Sequence, residues 1–173
     1  MSLALEAMKR KSGDNPSEKS TPSAYSKALG LLARREHSRR ELKQKLDRGG
    51  YAKEDAADAL ERLGEQHYQD DGRFAEVLIR TRSAHGYGPM RLRAELKSHG
   101  LSDAQIRRLI DESGIDWTAS ASAQLRRRYG AKGTTDPSER AKRAQFLLRR
   151  GFPAATVRYV THADVDDATD DSP

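Results

Sequence analysis

The chain has 173 residues, a formal net charge of +6 and no cysteine. The missing thiols exclude disulfides, thiolate metal sites and a cysteine nucleophile, and they suit a reducing compartment. Hydrophobic residues make up 35% and charged residues 34%, so a core is possible only if the apolar residues collect on one face of each element.

Residues 1–22, with four Ser, three Lys and two Pro, predict a disordered arm. The arm has no apolar core of signal-peptide length, and no run anywhere approaches the ~20 apolar residues that span a bilayer. The cytoplasm is therefore the expected location, with no membrane partner. From there the periodicity is helical almost throughout, and no alternating strand or hairpin signal interrupts it.

A first helix is predicted from Tyr25 to Glu36. Ser38 then caps a second, with Leu42 and Leu46 facing inward. Gly50 stops it, Tyr51 follows, and a third helix carries Ala56, Ala59 and Leu60. The order then repeats. A helix from Asp71 to about Ala84 precedes one opened by Pro89, with Leu92 and Leu96 inside. Gly100 stops it, Leu101 follows, Ser102 caps, and Ile106, Leu109 and Ile110 continue. It repeats again. Trp117 to Tyr129 precedes a helix capped by Asp136 and opened by Pro137, with Leu147 inward and Gly151 and Phe152 at the stop. Pro153 opens the last helix, which carries Val157 and Val160. Ser, Asp and Pro suit helix starts, and Gly tolerates the left-handed conformation that ends a helix. The third copy departs at Arg143, where the others have Leu42 and Leu92.

The expected fold is all-α, with three tandem three-helix repeats forming an elongated, curved array. The predicted boundaries are 23–69, 70–114 and 115–163, followed by an acidic disordered tail over 164–173. One such unit has too little core to stand alone, so neighbours share buried surface. The tail holds five Asp and no Lys or Arg; without it the body carries 32 basic against 21 acidic residues. Such a body favours polyanionic partners, nucleic acid or an acidic protein surface.

Motifs for chemistry are sparse. There is no phosphate loop, no GxGxxG and no HExxH, so no cofactor, metal or catalytic residue is expected. The adjacent carboxylates Asp70 and Asp71 read as a helix N-terminal cap, against metal or acid–base work as the other reading. Glu36 and Glu41 read as surface ion pairs. The segment Gly86 to Pro89 breaks two helices and reads as a tight turn or a hinge. The candidate binding surface is basic: Arg73, Arg80 and Arg82 on the fourth helix, then Arg91, Arg93 and Lys97 on the fifth. Arg107 and Arg108 follow on the sixth, Arg126, Arg127 and Arg128 on the seventh, and Arg140, Lys142, Arg143, Arg149 and Arg150 on the eighth. Arginine dominates, and its planar fork grips phosphate or carboxylate in two places at once.

The stretch DDGRFAE at 70–76, the Arg80 and Arg82 pair, and GYGPMRLRAELKSHGL at 86–101 resemble the bacterial recombination regulator family RecX. The resemblance spans roughly residues 24–162 and is strongest in the middle repeat; the outer repeats match by pattern more than by identity. It implies an all-helical fold of tandem three-helix units, and a non-enzymatic protein that binds the RecA–DNA filament. It further implies lowered ATP hydrolysis and strand exchange, blocked filament extension and a tempered DNA-damage response. The expected partners are the RecA filament and, weakly, single- and double-stranded DNA, with the protein itself a monomer. Three other readings stay open from the residues: a plain DNA-binding protein with helix-turn-helix-like units, a scaffold for another acidic protein, and a small hydrolase or nuclease using Asp70 and Asp71.

Overall fold

A computed structural model describes residues 22–169, with side chains described through His162. The predicted N-terminal arm, apart from Pro22, lies outside the described residues. Nine helices make up the described part: α1 (Ala24–Leu32), α2 (Arg39–Arg48), α3 (Lys53–Glu65), α4 (Asp71–Ala84), α5 (Pro89–Ser98), α6 (Asp103–Glu112), α7 (Trp117–Tyr129), α8 (Pro137–Arg149) and α9 (Ala154–Thr169). The last of these reaches into the acidic stretch assigned to a tail; residues 170–173 are not among those described.

The helix starts follow the side-chain chemistry. Ser38 accepts from Glu41 N, Asp136 accepts from Ser138 N and Glu139 N, and Ser102 forms a reciprocal capping box with Gln105. The middle helix of every repeat ends alike. Gly50, Gly100 and Gly151 have φ of 79°, 94° and 86°. The amides of the next residues, Tyr51, Leu101 and Phe152, reach back to Leu46, Leu96 and Leu147 carbonyls at 3.3, 3.4 and 3.2 Å. This is the Schellman stop, and the apolar residue after each Gly covers the last turn.

The first helix is shorter than predicted. It stops at Leu32 rather than Glu36, and Glu36 and Ser38 instead reach the second repeat. Pro153 opens α9 as expected, standing immediately before Ala154 with its carbonyl accepting from Val157 N at 2.9 Å.

Each repeat has its own core. Leu42, Leu46 and Leu60 anchor the first, Leu92, Leu96 and Phe74 the second, and Leu147, Phe152 and Leu125 the third. Residues four apart on α2, α5 and α8 share one face, and fully burying a leucine there stabilises by about 1.5–3 kcal/mol. All substantial helix packing falls within a repeat. Half-buried Trp117 is shared, resting against the second and third cores.

The repeats join through turns. At the first junction Ser38 Oγ and His99 Nδ1 share a hydrogen bond of 2.8 Å, and Arg39 N donates to Asp71 Oδ1 at 2.8 Å. Arg73 Nε meets Glu36 Oε1 at 2.9 Å while its other nitrogens donate to the His67 and Tyr68 carbonyls. At the second junction two backbone-to-backbone bonds join the turns. Gly88 N donates to Arg150 O at 2.8 Å, and Met90 N to Gly151 O at 3.0 Å. Both junctions use the same positions: the N-cap of one middle helix against the C-cap of the next. The N-terminus of α2 thus abuts the C-terminus of α5, whose own N-terminus abuts the C-terminus of α8. The three middle helices meet end to end, with opposite dipole ends adjacent.

Gly88 has φ of −86°, so its role is not an unusual backbone angle. A Cβ there would overlap the Gly151 carbonyl and lie 2.6 Å from Phe152 N. Gly86, at φ 81°, does need the left-handed region. The Gly86–Pro89 segment is therefore a turn clamped on the third repeat, which removes the freedom that a hinge would need.

Candidate functional site

Asp70 is engaged in capping α4 and Asp71 in the first junction. Asp70 Oδ1 caps α4, accepting from Gly72 N and Arg73 N at 2.7 and 3.1 Å. Asp71 Oδ1 accepts from Arg39 N and from Gln69 Nε2, each at 2.8 Å. Among the described residues, no three His, Asp or Glu side chains are grouped to hold a metal ion, and no helix is long and apolar enough to cross a membrane.

The basic residues divide by what they touch. Arg73 is a junction residue, as above. Arg82 holds Glu95 through both Nε and Nη2, at 2.7 to 3.1 Å; this hydrogen bonding and the Glu95 charge push the guanidinium above its ordinary value. Lys97 Nζ contacts Asp103 at 3.0 Å, and Arg108 Nε stands 3.9 Å from Glu112. Glu41, read as a surface partner, holds Arg35 and lies 3.8 Å from Lys45 and 3.7 Å from His37. Burial pushes its carboxyl up, but the Arg35 hydrogen bond and the charges of His37, Arg35 and Lys45 outweigh this and hold it below the ordinary carboxylate value.

Arg143 is a correction. The sequence places it on the binding surface, but it is buried at 6% relative exposure. It sits where Leu42 and Leu92 sit in the other repeats, so its stem fills a core position and its head must be satisfied internally. Arg143 Nη2 donates to Lys132 O at 3.2 Å, Nε lies 3.6 Å from Glu139, and the guanidinium stacks 5.1 Å from the Tyr129 ring centre.

Arg143 is also one end of a ladder. Guanidinium and aromatic ring alternate in the order Arg143, Tyr129, Arg128, Phe146, Arg150, Tyr87 and Arg91, with centroid distances from 4.3 to 5.7 Å. Such contacts attract the cation to the face of the ring. The ladder crosses the second junction, because Tyr87 and Arg91 belong to the second repeat and the rest to the third. Arg150 also donates from Nη1 to the His85 and Gly86 carbonyls at 2.9 and 3.3 Å.

Beside the ladder lies a cleft of about 370 Å³ between the repeats, lined by His85, Gln124, Arg127, Arg128, Phe146 and Arg150. It contains three arginines and no carboxylate. Arg126 does not line it, so the run of three arginines on α7 does not act as one patch. A second basic concavity on repeat two brings together Arg93, Lys97 and Arg107, with Asp103 among them. Arg80 borders a different, partly apolar cavity with Glu76 and Glu112. In repeat three, Arg126, Lys142 and Arg149 are exposed and Arg140 is half-buried. The candidate residues thus line several different concavities.

Tyr87, Gln124, Tyr129 and Phe146 are absent from the sequence-derived set. A signal does exist. Phe146 and Arg150 stand four residues apart at the end of α8, the spacing that brings side chains together on one helical face, whereas Tyr87 lies in the turn before α5 and meets Arg91 from outside the helix. Tyr129 and Gln124 carry no such mark.

Comparison with known proteins covers all three repeats. Family models described as the RecX first, second and third three-helix domains match residues 24–63, 70–109 and 116–161. A regulatory protein RecX from Stenotrophomonas maltophilia (strain K279a) is 48% identical over 141 residues, covering 82% of this chain and 86% of that protein. One from Xanthomonas axonopodis pv. citri (strain 306) is 45% identical over 141 residues, with 82% and 87% covered. The crystal structure of RecX from Lactobacillus salivarius shares the fold at a TM-score of 0.67 and 19% identity, covering 82% of this chain and 94% of that one. With its three-helix units in the order that the family models describe, and regulatory relatives matched over most of its length, the chain belongs to the RecX family of regulatory proteins.

Proposed function

We propose that this protein binds the filament that the RecA recombinase forms on DNA and restrains it. In this reading it lowers ATP hydrolysis and strand exchange, blocks filament extension and so tempers recombinational repair and the DNA-damage response. It acts in the cytoplasm, as a monomer, by binding alone and with no reaction or cofactor of its own. Its affinity for free single- or double-stranded DNA is weak beside its affinity for the filament.

The observation that supports this reading best is the set of cations left over once the structural ones are removed. Arg93, Arg107, Arg126, Arg127, Lys142 and Arg149 are exposed on repeats two and three. Guanidinium at such sites suits phosphates and acidic side chains alike. Two repeats joined in a row present these groups at several points, which suits a long helical nucleoprotein surface.

The test is RecA ATP hydrolysis on single-stranded DNA, with RecA from the same organism and rising amounts of this protein. Suppression at or below one protein per RecA is expected. Unchanged hydrolysis across the titration would remove the reading. Binding to naked duplex as tight as binding to filament would instead favour a plain DNA-binding protein with helix-turn-helix-like units.

A further inference from the structure

The cleft between repeats two and three differs from the other basic sites. Arg82, Lys97, Arg108 and Arg73 each face a carboxylate of the chain itself. Arg127, Arg128 and Arg150 share one cavity with no carboxylate among its lining residues. Two of the three are held without ion pairs: Arg128 and Arg150 stack 4.7 and 4.9 Å from the same Phe146 ring, and Arg150 is further anchored on the His85 and Gly86 carbonyls. Ring stacking orients a guanidinium while leaving its charge uncancelled. Three like charges converging on one cavity repel each other, and a bound polyanion relieves that repulsion. The Gln124 amide adds a neutral donor at the same wall.

We infer that this cleft is a phosphate seat for a nucleic-acid strand, with Arg127 and Arg128 gripping backbone phosphates and Arg150 supporting them from the junction. The inference rests on the reading of repeats two and three as the partner-binding face and names the chemistry of one part of it. Phosphates fit better than protein carboxylates. Three guanidiniums around one cavity match a ligand with several anionic oxygens at close spacing, whereas one carboxylate satisfies one guanidinium fork. Phosphate contacts position without reading sequence, so no base preference follows. The seat takes groups from both repeats, with His85 on one side and Arg127 and Arg128 on the other. A strand lying in it therefore bridges the junction and stiffens the array.

The experiment uses the full chain and a labelled oligothymidylate of about 15 nucleotides, within the length that such strand-binding sites cover. Binding is read by fluorescence anisotropy over a salt series, without RecA. The double variant Arg127→Gln with Arg128→Gln should bind roughly 10- to 30-fold more weakly at about 0.1 M salt, and its log–log salt slope should be shallower by about 1.4, or ~0.7 per lost contact. A control removes the same charge from the first repeat, Lys27→Gln with Arg34→Gln, both exposed on or beside α1. It should change affinity by less than about twofold, since charges beyond a Debye length are screened. Equal losses in both double variants would overturn the seat, because they would mean diffuse attraction only. So would wild-type protein that binds no strand. If the cleft variant keeps strand affinity but loses suppression of RecA, the cleft grips acidic protein side chains and the proposal fails while the filament reading stands. A failed ATPase titration, conversely, leaves the strand measurement intact.

Discussion

Replacing Gly88 with Ala tests the joint between repeats two and three. The backbone at Gly88 is extended, with φ −86° and ψ 169°, so alanine meets no conformational penalty there. The whole cost is steric. The new Cβ would overlap the Gly151 carbonyl and stand 2.6 Å from Phe152 N. Those atoms are backbone and cannot swing away as a flexible side chain could. The turns must separate, which breaks the Gly88 N to Arg150 O bond of 2.8 Å and the Met90 N to Gly151 O bond of 3.0 Å. Two hydrogen bonds at about 1 kcal/mol each, less the ~0.7 kcal/mol gained when Ala restricts the unfolded chain, leave a net loss centred on about 1.3 kcal/mol. Urea denaturation followed by the single tryptophan and by far-ultraviolet circular dichroism reads this out. Trp117 lies against both the second and third cores, so its fluorescence should change at lower urea than the helical signal does. Gly30→Ala is the control. Gly30 lies within α1, and a Cβ added there would meet nothing within 4 Å, so the substitution should gain about 0.5–1 kcal/mol from helix propensity. A Gly88→Ala midpoint equal to wild type would refute the claim that these turns are in backbone contact.

The remaining predictions concern single side chains. Gly100→Val should destabilise by about 1 kcal/mol or more, because φ of 94° suits a β-branched residue badly, and Leu96→Ala should cost roughly 2–5 kcal/mol as a fully buried core leucine; both are read from thermal melts. Arg143→Ala should cost about 2 kcal/mol or more, since it empties a buried position and strands the groups that the guanidinium satisfies, whereas exposed Arg127→Ala should stay within about 0.5 kcal/mol in urea titration. Glu41 has a folded-state carboxyl held below its ordinary value of 4.5, so its contribution is present above that pH and is lost as pH falls through the lower folded value. Glu41→Gln should therefore lower the melting temperature slightly at neutral pH, by an amount near the ~0.2–1 kcal/mol of a partly exposed pair, and the difference from wild type should vanish in acid.

The repeat order and the helix stops are readable because each rests on a local rule. Leu46, Leu96 and Leu147 recur at one register, and glycine follows each middle helix where a left-handed residue is needed. Ser38, Asp70, Ser102 and Asp136 cap helices through their own side chains, within three residues along the chain. The end of α1 is not readable, because Glu36, His37 and Ser38 answer to partners more than thirty residues away. Arg73 and Gln69 fix Glu36 and His37 there.

The division of the basic residues has the same cause. From the chain alone, arginine looks alike whether it faces solvent, a carboxylate or a core. Arg143 interrupts the leucine register at a position visible in the sequence, yet only packing shows that the register wins and the guanidinium turns inward to Lys132 O and the Tyr129 ring. Arg82 and Arg150 are both arginines near the end of a helix. One is cancelled by Glu95 thirteen residues on, while the other is set against Phe146 and the turn at His85, sixty-five residues away. Hydrophobic period and capping are local in sequence, so they specify helices and their order. Which charges remain uncancelled depends on what tertiary packing brings alongside, both within a repeat, as for Arg82 and Glu95, and across a junction, as for Arg150 and the turn at His85.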